Sequence, residues 1–548
     1  MSSFLARNQI NSFSSIDYSN FSVKHGIPVG DILSFNNSTY QSHNIRGQLA
    51  YNNDWNRHLL TVMAGGELKD YTAFQNAYTL YGYEKETATS VPVDFANYQR
   101  QIFTSWATGI VPGSPNRSGA ADRYISFFGN AAYTYDKRYT ISVSARKDES
   151  NLFGVNTNQK GVPLWSAGAV WHISNESFYN LKWLPELKLR VTNGVNGNVD
   201  KSVSAYTTLQ TGPNNIFNQP VAYLLNPPNP SLRWEKVNVT NLAIDFRIKQ
   251  TRLSGSIEYY QKKAMDLIGF SPLAPQVGVR SFKGNAADMS ARGIDLLLNS
   301  INIEGKFNWQ TILLFNYNVD KITNYKVNTS ALSLHEGYPY AALFSYRWAG
   351  LDAETGDPMG YLGKEVSKAY GVLVNTDSLG VNTAYNGTRA PKYFGSIRNT
   401  LSWKTFSLSI NLLYKAGHRF RRPSISYQSL FNTLSGHIDY NHRWQNPGDE
   451  KLTDVPSMVY TWDGNRDVFF QNAENLVRSA GILRLQDIRL DYRLNTSAIK
   501  SSAVKFLTFY MYASNLATIW TENKERIDPE HLILRLPKSV AIGLKADF

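Results

Sequence analysis

The sequence predicts an all-β protein: an antiparallel transmembrane β-barrel portion of roughly 14–16 strands with long extracellular loops. Three observations carry that expectation. Large apolar residues recur with a period of two, as in Val540, Ile542, Leu544, Ala546 and Phe548 at the carboxy-terminus, with Ala541, Gly543, Lys545 and Asp547 between them. Aromatic residues make up 13% of the 548 residues, including 33 Tyr and 12 Trp, which suits the two interfacial girdles of a barrel. Connections alternate between short turns and long loops, whereas a soluble sandwich balances its loops between two ends.

Composition narrows the alternatives. Mean hydropathy is −0.35 and no run of eighteen apolar residues occurs, which excludes a helical membrane protein but not a barrel with a polar lumen. The chain has no cysteine, so disulfides, thiolate metal sites and cysteine nucleophiles are excluded together. The formal net charge is +13. Its tightest basic cluster is only Arg419-Phe420-Arg421-Arg422, so the excess reads as charge spread over loops and lumen, with no nucleic-acid partner. Met1 to Leu5 begins no signal peptide.

Residues 1–43 are Ser/Asn-rich without sustained periodicity and read as an irregular start. Alternation begins at Asn44, with Ile45, Gly47, Leu49 and Tyr51 on one face; Asn52-Asn53-Asp54 turns, and a second strand covers His58–Gly66. A long irregular stretch to about Asp122 follows, containing Pro92, Pro112 and Pro115. Its aromatic residues Tyr71, Tyr78, Tyr81 and Tyr83 could stack on sugar rings or simply pack the loop. The clearest hairpin is Tyr124–Arg146, turning at Asp136-Lys137-Arg138. Strands around Trp165–Ile173 and Leu187–Val191 follow, then a hairpin from Thr240 to Tyr259. Further strands lie near Arg292–Asn299, Lys306–Asn318, Lys392–Trp403, Phe406–Lys415, Leu483–Leu494, Val504–Asn515 and Lys538–Phe548. The longest connections are Asp320–Pro391 and His418–Ala480. Each good strand keeps charge off its apolar face, as lipid contact requires, since a charge near the midplane costs about 2–4 kcal/mol.

Catalytic and metal signals are weak. His437 and His442 flank Asp439, but no H-E-x-x-H accompanies them. Asp352, Glu354 and Asp357 imitate the start of a calcium loop without its order or its closing Glu. No G-x-S-x-G, Walker A or G-x-G-x-x-G pattern occurs. No cofactor, metal or enzymatic activity is expected.

Several ordered motifs carry a family resemblance. Asn229 to Lys236 (NPSLRWEK), then Asn241 to Phe246 (NLAIDF), Arg252 to Lys263 and Asn285 to Leu296 (NAADMSARGIDL) resemble segments of the SusC/RagA family of TonB-linked outer-membrane transporters. Tyr346 to Pro358 (YRWAGLDAETGDP) is similar to a family loop, which singles out Trp348, Gly350, Asp352, Thr355, Gly356 and Asp357. Ala390 to Gly395 and Leu483 to Asp487 match further family segments. The resemblance implies uptake of oligosaccharides or peptides across the bacterial outer membrane. It implies a SusD-like lipoprotein lid, a TonB complex acting through a plug, and contact with outer-membrane lipids. It also makes Phe548 the barrel-assembly terminus. The family's signal peptide, N-terminal domain, TonB box and plug are not recognised in 1–548, so the chain reads as the C-terminal barrel portion of a truncated or split frame. The alternatives from other classes are a soluble all-β glycan-binding or adhesin module and an outer-membrane barrel enzyme.

Overall fold

The computed structural model describes residues 2–101, 104–151, 161–198, 200–201, 203–212, 221–248, 252–273, 276, 279, 281–325, 332–376, 379, 381–433, 435–460, 463–495, 504–532 and 534–547. Among them one sixteen-stranded sheet dominates, and fifteen of its strands follow a single path. In chain order these are β1 (Asp31–Trp55), β2 (His58–Glu84), β3 (Asn116–Tyr135), β4 (Tyr139–Ser150), β5 (Gly161–His172), β6 (Glu186–Asn198), β7 (Glu235–Ile248) and β8 (Leu253–Pro272). They continue as β9 (Ser281–Ile303), β10 (Phe307–Tyr325), β11 (Tyr393–Trp403), β12 (Phe406–Ala416), β13 (Ile482–Asn495), β14 (Phe506–Thr521) and β15 (Ser539–Asp547). Each pairs antiparallel with its neighbour in sequence, so the topology is a plain up-and-down meander. Antiparallel neighbours need only a tight turn, and the chain supplies them with residues that tolerate positive φ. Asn56 (φ 54°) sits between β1 and β2, Asp136 and Lys137 (51° and 54°) between β3 and β4, and Lys404 (51°) between β11 and β12.

The expected 14–16 strands are met by this path. Its ends, β1 and β15, are not paired with each other among the described residues. The start of the chain differs from expectation. Residues 2–12 form a helix, Ser14–Asp17 and Ser22–His25 form a small hairpin, and β1 begins at Asp31 rather than Asn44. The supposed loop after Gly66 is also strand: β2 runs on to Glu84. Beyond the membrane band both faces of a strand meet water, so the alternation used to find strands is no longer imposed there.

Register fixes which side chains share a face. Across β3 to β8 the same face carries Tyr133, Ile141, Ala169, Val191, Leu242 and Tyr259, each laterally paired with the next. At the other end Leu490, Met511 and Ile542 are paired in the same way. Ile141, Val143, Leu242, Ile257, Met511 and Ile542 are exposed, which in water would be a continuous apolar patch and in a bilayer is the lipid contact.

An aromatic belt closes this face at the short-turn end. Tyr135, Tyr139 and Trp171 are register partners across β3–β5, as are Phe307, Trp403, Phe406 and Tyr492 across β10–β13. Trp55 stacks on His58 with centroids 5.5 Å apart, and His58 meets Tyr135 at 5.3 Å. Glu176, in the turn after β5, ties the belt together. It accepts from the Tyr139 hydroxyl at 2.5 Å and the Trp171 indole N–H at 2.9 Å, and pairs with Arg138 at 3.3 Å. Amphipathic rings with a polar tip suit the membrane interface.

The opposite face is polar. It carries Arg46 over the Phe128 ring at 4.5 Å, and Arg146 bonded to Asp148 and Ser126. Further round lie Arg190 bonded to Asp245 and near Glu258, and Asn411 bonded to Asp487 with Arg398 beside it. These charged and polar contacts on the face away from lipid mark a wet lumen.

Candidate functional site

The long connections gather at one end of the sheet, and the two longest fold against each other. The connection between β10 and β11 contributes the strands Ala342–Tyr346, Trp348–Leu351 and Pro358–Leu362 and the helix Tyr370–Asn375. The connection between β12 and β13 contributes the strand Arg419–Arg421 and the helices Tyr427–Thr433 and Gly464–Gln471. Phe469 is fully buried and stacks on Tyr346 (5.6 Å) and Trp348 (6.4 Å), while Phe470 packs with Ile425, Tyr427, Val455 and Leu476. The Tyr346 N–H donates to the Asn472 carbonyl at 2.9 Å, and Arg421 donates to the Phe344 carbonyl at 2.6 Å. The two connections thus make one capping body with its own core.

All six residues singled out between Trp348 and Asp357 lie in the central hairpin of this cap. Asp352 opens the turn: its carboxylate accepts from the N–H groups of Glu354 and Thr355, both at 2.9 Å, and from the Lys368 ammonium at 2.9 Å. The Lys368 bond, then the two backbone bonds, hold the Asp352 carboxyl well below the usual carboxylate range, and Asp352 raises Lys368 in turn. Thr355 donates to Asp357 at 2.9 Å, and Asp357 accepts from the nearly buried Arg466 at 3.0 Å. Gly356 has φ +69°, and a Cβ there would stand 2.3 Å from the Trp444 ring. Trp348 donates its backbone N–H to Glu474 at 2.9 Å. Two of the three carboxylates that imitate a calcium loop, Asp352 and Asp357, therefore already face Lys368 and Arg466. The loop is a junction holding the cap's two halves together.

Other sequence-singled residues find different surroundings. His437 accepts from the Asp439 N–H at 3.1 Å and caps a short turn; Asp439 is taken by Arg422 at 2.6 Å and Ser424 at 2.5 Å. Tyr71, Tyr78, Tyr81 and Tyr83 lie on β2, not in a loop. Tyr81 is buried among Ile10, Phe13, Ile27 and Val111, and its hydroxyl donates to the Pro112 carbonyl at 2.7 Å, so it has no free ring face for a sugar. Phe548 lies outside the described residues. Two motifs recognised separately meet: Asn285 accepts from the Arg233 N–H at 3.0 Å and donates to the Arg233 and Asp266 carbonyls at 2.9 and 2.6 Å.

Sequence reasoning missed a cavity of about 290 Å³ where the cap meets the lumen side of β12. Arg389, Lys415, His418, Arg419 and Arg421 line it, with Leu343 and Pro529 as apolar walls. Lys415 bonds Glu530, which Arg484 also meets at 3.0 Å; Arg484 pairs with Asp528 at 2.7 Å. Arg484 and Glu530 form the partition to a larger hollow of about 820 Å³ between the end of β14 and residues 522–538. The available signal was the cluster Arg419-Phe420-Arg421-Arg422. Only Arg422 is neutralised within the cap core, while Arg419 and Arg421 line the cavity.

A lipid-facing meander with an aromatic belt, a polar lumen and a folded cap is the architecture of an outer-membrane β-barrel wall. The family model "TonB dependent receptor-like, beta-barrel" matches residues 4–516, and the chain belongs to that family. Members are outer-membrane proteins and transporters rather than enzymes. Family membership sets aside both the soluble adhesin module and the barrel enzyme. Among curated proteins, TonB-dependent receptor P26 of Formosa agariphila is 25% identical over 446 residues, 74% of this chain and 42% of the relative. TonB-dependent receptor SusC of Bacteroides thetaiotaomicron is 27% identical over 210 residues, 36% of this chain and 21% of SusC. Among solved structures, the RagAB peptide importer in its closed-closed state superposes with a TM-score of 0.73 at 22% identity, covering 95% of this chain and 57% of that one. The chain thus spans less than half the length of these curated relatives.

Proposed function

We propose that this chain forms the wall and mouth of a TonB-dependent importer that carries oligosaccharides or peptides across the outer membrane together with a SusD-like lipoprotein. The observation that carries this reading is the pairing of a polar lumen with a folded cap at its mouth, in a chain matched to the family over residues 4–516. A plug domain gating the lumen takes the TonB contact in such a machine. The cap also carries apolar side chains that a lid could cover: Ile438, Leu452 and Tyr460 stand 72%, 85% and 85% exposed.

The test is expression from the native locus with an affinity tag, followed by outer-membrane fractionation and detergent extraction. Co-purification of a SusD-like lipoprotein, lost when Leu452 and Tyr460 are changed to Ser, supports the reading. Recovery of the wild-type protein alone, with no growth defect on any oligomer after deletion, would sink it.

A further inference from the structure

The cavity beneath the cap holds more positive charge than its surroundings balance. Arg389, Arg419 and Arg421 all line it, and none has an ion-pair partner among the described residues. The carboxylate on its wall, Glu530, is already engaged by Lys415 and Arg484. Arg421 is fixed by neutral acceptors only: Asn472 at 2.7 Å, Ser345 at 3.1 Å and the Phe344 carbonyl. Arg419 is likewise held by the Ser479 hydroxyl at 2.5 Å. Burial first, and then the neighbouring Arg389, push the Arg421 guanidinium down to about 10.

A second observation concerns two side chains that line the same cavity. His418 is 7% exposed, and its Nδ1 has no hydrogen-bond partner. The Nε of Arg421 is also unpartnered. A buried polar atom left without a partner is unfavourable, and both of these belong to side chains that line the cavity. Burial, then Lys415, lowers His418, so its ring is neutral near pH 7 and can donate from Nδ1. Leu343, Phe420 and Pro529 supply an apolar floor. The volume is at the small end for ligand sites, roughly 300 Å³, enough for one unit of a longer chain.

We propose that this cavity is an anion subsite at the lumen mouth, and that it recognises a carboxylate carried by one unit of the imported oligomer. This rests on the import reading above and names the substrate class as acidic. Guanidinium groups engage a carboxylate through paired N–H donors, and His418 adds a neutral donor beside them. The carboxylate can come from a uronic acid or from an acidic amino acid; the cavity reads the group they share.

The test uses the full chain in detergent and isothermal titration calorimetry at low salt. The probes are a trigalacturonate, its neutral galactose counterpart and a Glu-rich tripeptide. At least one acidic probe should bind about tenfold or more tightly than the neutral one, as expected for losing a charge-assisted bond. Its affinity should fall as NaCl is raised. R389Q changes a side chain with no ion-pair partner in the cap and should weaken the acidic probe about tenfold. R57Q, which removes the same charge at the short-turn end, should leave it unchanged. Equal binding of acidic and neutral probes, no acidic binding at all, wild-type affinity in R389Q, or an equal loss in R57Q each overturns the inference. The two acidic probes separate the saccharide source from the peptide source. Acidic binding without uptake by cells would overturn the import reading alone, and uptake of neutral oligomers without acidic binding would overturn the subsite alone.

Discussion

The wall and the cap of this protein are stabilised by opposite arrangements of the same side chains. In the wall, Ile141, Val143 and Ile542 point outward and stay exposed, and the backbone ladder holds the strands in register. In the cap, Phe344, Phe469 and Leu476 are buried within the chain, with charges such as Arg466 taken inside and paired. The wall therefore depends on lipid for its apolar burial, while the cap carries a water-type core. The lesson is that the two should fail independently: damage to the cap should leave a membrane barrel, and damage to the lipid face should leave the cap's internal contacts unaltered.

The largest expected effect is in the cap. Phe469 is fully buried between Tyr346, Trp348 and Tyr370, and Phe469→Ala should cost about 3–5 kcal/mol locally. Limited proteolysis should then cut within 342–388 and 419–479, while the heat-modifiable mobility of the barrel on a denaturing gel stays as in wild type. Loss of both together would show that wall and cap are one cooperative unit.

The matching change in the wall is Val143→Arg. Val143 faces lipid between the belt residue Tyr139 and the upper end of β4, and a charge there should cost about 2–4 kcal/mol. Ser144→Arg, on the lumen side where Ser144 meets Ser166 at 2.7 Å, should cost under about 1 kcal/mol. Guanidinium unfolding in lipid vesicles measures both. Equal losses would mean that the face assigned to lipid is not in contact with it.

These two regions were also unequally legible in the sequence. Wall strands such as β3 and β4 follow from a period of two, because one face must stay apolar along the whole membrane band. The upper parts of β1 and β2 were not legible, since residues such as Tyr71 to Glu84 sit where that constraint ends. The cap was legible only through its resemblance motif. Its defining contacts, Asp357 with Arg466 and Trp348 with Glu474, join residues more than a hundred positions apart, which no local pattern encodes. The cavity at Arg389 was hidden for the same reason: its arginines come from both connections, and only the stretch at 419–422 looked basic.

A smaller effect tests the junction. Gly356→Ala places a methyl against Trp444 at a backbone angle that disfavours side chains, and should cost about 1–3 kcal/mol. Fluorescence of Trp444 should shift if the ring is displaced; because other Trp residues contribute, the comparison is the difference spectrum against a Trp444→Phe background. An unchanged spectrum and unchanged protease resistance would show that the hairpin is not held against Trp444.

The smallest expected effect is a pH dependence confined to the cap. The Asp352 carboxyl is held low by Lys368 and by the Thr355 and Glu354 N–H groups, so it favours the folded cap whenever it is ionised. That contribution is complete above the ordinary carboxylate value near about 3.9 and drains away as pH falls through it towards the lower folded value. The site is accessible enough to solvent that the contribution should stay under about 1 kcal/mol. Burial raises the Asp467 carboxyl and gives it the opposite sign, with stability present in acid and lost as pH rises, so the wild-type curve mixes the two. Asp352→Asn isolates the first: its Oδ1 can still accept both backbone N–H groups, and what goes is the charge together with the Oδ2 that accepts from Lys368. The difference in cap protease resistance between wild type and D352N should be flat from pH 8 to pH 5 and shrink below pH 4. A difference that persists unchanged to pH 3 would mean that Lys368 does not read the charge on Asp352.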